Sequence, residues 1–175
     1  VQPLAPGMRR IGAVMRRLPG TSVAIATDAQ IARSSGAGAP ELIASILMGV
    51  HPRGVTTEDR SADGIPVRIY RPTRPGAARP LVLYFHGGGF VFGDLRGGDW
   101  IAGTVAFQLD AIVVSVDYRL APKRPFPAAV EDCVAGLTWA AEHAAELGAD
   151  PGRIGVMGES AGGNLAAVVA LTARD

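Results

Sequence analysis

Ile154-Gly155-Val156-Met157-Gly158-Glu159-Ser160-Ala161-Gly162-Gly163-Asn164-Leu165-Ala166 is the stretch on which the reading of this chain turns. Residues 154–157 form a short apolar run of the kind that makes a buried strand, and residues 164–173 read as helix. Between them stands G-x-S-x-G. In a strand–turn–helix context this spacing is a nucleophile elbow, a turn too tight for side chains at 158 and 162, which lifts the Ser160 hydroxyl out of the sheet's end. The backbone N–H of Ala161 then points to where an oxyanion would form. A bare GxSxG arises by chance in glycine-rich chains. Here a strand precedes it and a helix follows, and that context makes it specific.

Upstream lie two more apolar runs, 81–85 and 111–116, each followed by a polar or glycine-rich loop. The first ends in His86-Gly87-Gly88-Gly89. Consecutive glycines let the backbone approach a ligand and turn its amides inward, where they stabilise charge on a tetrahedral intermediate. A merely flexible loop or a phosphate cradle would use the same glycines. Neither accounts for the serine elbow that follows, and Lys123, the one lysine in the chain, is not placed as a Walker lysine. The second run ends in Asp117-Tyr118-Arg119-Leu120-Ala121-Pro122-Lys123, which alone reads as a strand-end loop with a possible Asp117–Arg119 pair.

Helix-length segments separate the runs, at about 100–109 and 128–147. The second has an apolar stripe at Val130, Val134, Leu137, Ala141 and Ala144, and closes at Gly148. Cys133 borders that stripe and reads as a core thiol. Residues 55–60 and 65–70 alternate as a strand pair around Asp63-Gly64, a hairpin signal. Strands alternating with helices predict an α/β fold with a mostly parallel sheet flanked by helices.

Towards the N-terminus, Ile11, Val14, Met15 and Leu18 fall on one face of a short helix over 8–18, with arginine pairs opposite. Such a helix can lie on a membrane; its brevity favours packing on the body of the protein. A second helix, over 41–50, ends before His51-Pro52. The 17 basic and 16 acidic side chains leave a net charge of +1, which gives no reason to expect a nucleic-acid partner. No apolar run reaches the roughly 18 residues of an integral membrane segment, no signal peptide is legible, and a lone cysteine builds neither a disulfide framework nor a zinc site. A cytoplasmic location is the default expectation.

HGGGF, DYRLAP and GESAGGNLA, in this order, resemble the hormone-sensitive-lipase-like branch of the α/β-hydrolases, also called bacterial family IV esterases. The resemblance covers about residues 55–175, and GADPGRIGVMGESAGG is similar to the family's approach to its nucleophile. It implies a carboxylic ester hydrolase that forms an acyl-enzyme on a serine, acts on small-molecule esters and needs no cofactor or metal. Ser160 is then the nucleophile, the amides of Gly88, Gly89 and Ala161 the oxyanion hole, and His86 a loop-orienting residue instead of the base. Residues 1–50 stand where the family places N-terminal cap helices, and 51–175 where it places the core. Lys123 departs from an acidic residue that usually closes the DYRLAP motif, and Glu159 stands where Asp is commoner.

In this fold the triad runs Ser, acid, His along the chain. Residues 161–175 contain no histidine and one acid, Asp175. His51 precedes the sheet, His86 belongs to the glycine loop, and His143 falls within a predicted helix before the elbow. The sequence therefore reads as the N-terminal portion of an α/β-hydrolase, ending just after the elbow helix. Alone it is expected to be inactive, because a serine without a base is a weak nucleophile. The elbow strand is expected at the sheet's edge. The alternatives are a non-catalytic, receptor-like binding protein on the same fold and a decayed hydrolase; a serine peptidase is disfavoured by the HGGG and DYRLAP pair.

Overall fold

The computed structural model describes residues 53–174. Five strands, β1 (Val55–Ala62), β2 (Ile65–Pro72), β3 (Arg79–Phe85), β4 (Ile112–Val116) and β5 (Ala149–Gly158), form one sheet in the order β1-β2-β4-β3-β5. β2 runs antiparallel to both neighbours, while β3 is parallel to β4 and to β5. One strand of the five is thus reversed, which makes the sheet mostly parallel. Among the described residues four α-helices accompany it: α1 (Asp99–Leu109), α2 (Ala128–Glu142), α3 (Ala144–Leu147) and α4 (Ala161–Thr172). The helices expected over 8–18 and 41–50, and the division between 1–50 and 51–175, fall on or border residues outside those described.

The hairpin forms where Asp-Gly signals it. Asp63 (φ 50°) and Gly64 (φ 96°) both take the left-handed conformation that a two-residue turn between twisted strands requires. Every residue of β4 is buried, as suits a central strand, and its neighbour β3 buries Leu81, Leu83, Tyr84 and Phe85. Side chains alternate across these strands and build two apolar clusters. On one face Leu83, Phe85, Val114 and Val116 pack with Cys133 and Trp139 of α2 and Leu165 and Val169 of α4. On the other, Tyr70, Tyr84 and Val113 pack with Ala102 and Ala106 of α1. Cys133 is fully buried, and burial pushes its thiol far above the usual range, as for an inert core thiol.

Three expectations are corrected. The helix predicted over 128–147 is broken at His143 (φ −97°, ψ 8°), where the ring Nδ1 bonds the Trp139 carbonyl at 2.8 Å and the ring stacks on the Trp139 indole. The chain then resumes as α3 and stops at Gly148 in the left-handed conformation. The buried face of α2 centres on Asp132, Cys133, Gly136, Trp139 and Ala140, with Val130, Val134 and Leu137 only partly buried at its flanks. Gly136 and Asp132 shift that face: the first lets the helix approach Val116, and the second is buried by an ion pair. The elbow strand, expected over 154–157, extends across Ala149–Gly158 because Arg79 and Ala149 already pair at its start. It forms the sheet's edge among the described residues.

Candidate active site

Phe85 pairs with Gly158 at the ends of β3 and β5, so the glycine loop and the elbow leave the sheet side by side. Ser160 stands between β5 and α4 with φ 54° and ψ −119°, angles that a side chain avoids unless the surroundings impose them. They are imposed here by close packing. A Cβ on Gly162 would overlap the Phe85 carbonyl, and one on Gly158 would overlap the backbone of Gly162. With both positions pinned, the turn projects Ser160, which is exposed, while Ala161 and Gly162 are buried behind it. Ala161 opens α4, where an N–H has no partner within the helix.

The other wall is the loop after β3. Gly88 (φ 128°) has no room for a side chain against the Phe92 carbonyl, and its own carbonyl accepts from the N–H groups of Val91 and Phe92 at 3.1 and 3.0 Å. Phe90 also sits at positive φ (64°), with its carbonyl taken by the Ala121 N–H at 2.9 Å. No acceptor among the described residues takes the N–H of Gly88 or Gly89.

His86 lies under this loop, 2% exposed. Its Nδ1 is 2.8 Å from the Gly87 carbonyl, which can only accept, so Nδ1 carries the hydrogen and buried Nε2 has no partner. The ring stacks on Tyr118 at 4.3 Å, and the Tyr118 hydroxyl donates to the His86 carbonyl at 2.6 Å. Among the described residues no histidine hydrogen-bonds to Ser160, and His143 lies beside Trp139 on α2.

The sequence suggested a possible Asp117–Arg119 pair. Instead, the Arg119 backbone N–H and guanidinium both bond Asp132 of α2, at 2.8 and 2.9 Å, which ties the DYRLAP loop to that helix. Lys123 makes no ion pair among the described residues. Two further side chains make contacts that the sequence reading did not include. The Glu159 carboxylate accepts from the Gly87 N–H at 2.7 Å and from the Tyr84 hydroxyl at 2.7 Å. Burial, then the bonded Glu159, hold that hydroxyl far above the usual phenol range, so it remains a donor. The available signals were a tyrosine in an apolar strand, which needs a partner for its hydroxyl, and a charge inside a tight turn.

Among the described residues no three histidine, cysteine, aspartate or glutamate side chains converge as a metal site would need. A shallow depression lined by Gly76, Arg79, Ala145 and Gly148 lies at the starts of β3 and β5, the end of the sheet away from Ser160. No helix among the described residues is long and apolar enough to cross a membrane.

Comparison with known proteins agrees with this geometry. A family defined by the alpha/beta hydrolase fold matches residues 82–175, more than half of the chain. Esterase LipI of Mycobacterium tuberculosis is 55% identical over 132 residues, covering 72% of this chain and 41% of LipI. Carboxylesterase NlhH of the same species is 54% identical over 111 residues, covering 63% of this chain and 35% of NlhH. The hyperthermophilic esterase from the archaeon Pyrobaculum calidifontis superposes with a TM-score of 0.77 at 40% identity, covering 99% of this chain and 55% of that structure. The chain belongs to the α/β-hydrolase fold family and, within it, to the hormone-sensitive-lipase-like branch, also called bacterial family IV esterases. It spans less than half the length of the curated relatives it matches.

Proposed function

We propose that this chain carries the nucleophile and the oxyanion hole of a serine carboxylesterase acting on small-molecule esters. The observation that carries the reading is the strained, exposed Ser160 on a turn packed against a glycine loop whose Gly88 and Gly89 amides have no acceptor among the described residues. In this reading Ser160 Oγ attacks the ester carbonyl carbon. The N–H groups of Gly88, Gly89 and Ala161 take the charge that develops on the carbonyl oxygen. Collapse expels the alcohol and leaves an acyl group on Ser160, which water then removes as the acid. His86, buried under the glycine loop with no hydrogen bond to Ser160, orients the loop and takes no proton from Ser160.

The triad base is assigned to neither His86 nor His143, so the chain alone is proposed to turn over esters far more slowly than an intact enzyme. Loss of triad members leaves about 10³- to 10⁴-fold catalysis over water in a serine protease. Deacylation needs the same base, and a slowly formed acyl-enzyme should therefore persist. Incubation with an aryl acetate followed by peptide mass mapping is expected to find an acetyl group on Ser160, and none there in Ser160→Ala. Labelling confined to other residues, or binding of the ester with no acylation, would move the reading to a non-catalytic binding protein.

A further inference from the structure

We infer that Glu159 is a positioning residue: its carboxylate ties the glycine loop to the turn bearing Ser160 and so sets the oxyanion amides against the nucleophile. The inference rests on the serine-esterase reading above.

The two halves of the site come from different segments, the loop after β3 and the turn after β5. β-Pairing ends at Phe85 and Gly158, so the ladder does not itself hold the residues beyond. Glu159 spans that gap. Its backbone is held by the turn, since its carbonyl accepts from the Gly162 N–H at 2.9 Å. Its side chain reaches across to the Gly87 N–H, the amide just before Gly88 and Gly89. The loop lies directly on it, for a Cβ at Gly87 would come within 3.0 Å of the Glu159 carbonyl oxygen and 3.1 Å of Oε1.

Tyr84 supplies the second point of attachment. It is fully buried in β3, so its hydroxyl is a fixed post, and it holds Oε2 at 2.7 Å. A carboxylate held at one oxygen swings about its side-chain torsions; held at both, it presents Oε1 to Gly87 in one orientation. Glu159 is exposed as a residue and would ordinarily be hydrated, yet both its oxygens are committed to donors of the neighbouring segment. Glutamine has the same reach. Its Oε1 can accept from Gly87 while its Nε2 donates to the Tyr84 oxygen, because a hydroxyl both donates and accepts. Alanine can do neither.

The test is ¹H–¹⁵N NMR and Ser160 acetylation on the full 175-residue chain. In the wild type the Gly87 amide should be shifted downfield and slow to exchange. In Glu159→Ala the shift should collapse and exchange accelerate roughly 10- to 100-fold, as for loss of a hydrogen bond to a charged acceptor, with β1 and β2 amides unchanged. Glu159→Gln should restore slow exchange, and Tyr84→Phe should fall between. The acetylation rate at saturating ester should follow the same order with half-saturation unchanged. An equally slow Gly87 amide in a folded Glu159→Ala chain, or in Tyr84→Phe if the first variant does not fold, would overturn the inference. So would failure of Glu159→Gln to restore it. If the wild type is never acetylated, the esterase reading fails while the amide measurements still decide whether the tie exists.

Discussion

Ser160 and Phe90 both hold positive φ, and residues in such regions cost on the order of 1–3 kcal/mol each. Neighbours hold them there: the Asn164 N–H bonds the Ser160 carbonyl, and the Ala121 N–H bonds that of Phe90. Asp117 is a different kind of burden. It is half-buried beyond β4 with no hydrogen bond to its carboxylate among the described residues, and burial raises its carboxyl above the ordinary range. A carboxyl raised in the folded state contributes stability that is full below its unfolded value and lost as pH rises through the folded one. Asp117→Asn is therefore expected to raise Tm at about pH 7 and to leave it nearly unchanged at about pH 3. Calorimetry at the two pH values checks this, and a lower Tm at neutral pH would contradict it. Ser160 was legible in the sequence because five consecutive residues specify its turn. The partners of Glu159 were not, since Gly87 and Tyr84 meet it only when β3 and β5 pair.

Among the elements, β2 and α1 are joined by a polar cluster. Arg68 bonds both oxygens of Asp99 at 3.0 and 3.1 Å, the Tyr70 hydroxyl donates to the same carboxylate at 2.6 Å, and Asp59 on β1 takes the far side of the guanidinium at 2.6 and 2.8 Å. Asp99 opens α1, where a carboxylate also meets the positive end of the helix dipole. The two acids differ in worth. Asp99 is 24% exposed and Asp59 60%, so water screens the outer pair far more. Arg68→Ala is expected to cost about 2 kcal/mol in urea unfolding by stranding the inner carboxylate, against less than about 1 kcal/mol for Asp59→Ala. Equal costs would refute this ordering. Among the described residues, strand and helix identities followed from local apolar patterning. The break at His143 did not, because the bond from its ring to the Trp139 carbonyl and the stack on the indole are choices an uninterrupted helical pattern does not announce.

At the scale of the whole molecule, one sheet serves two clusters that share β2, β3 and β4. Neither cluster can lose its strands without the other. Trp139 is 6% exposed on one face and Trp100, on α1, 49% exposed on the other. In a Trp100→Phe chain the Trp139 emission is expected to shift at the same urea midpoint as the far-ultraviolet circular dichroism. Separated midpoints would show that the faces come apart independently. Strands, turns and the elbow were readable because each is specified by residues within one turn or one alternation of each other. Strand order, the lone reversed strand, the burial of His86 and the Glu159 bridge arise from contacts between segments up to 75 positions apart. Local backbone preference says nothing about which of several compatible apolar faces will meet; packing them together settles it.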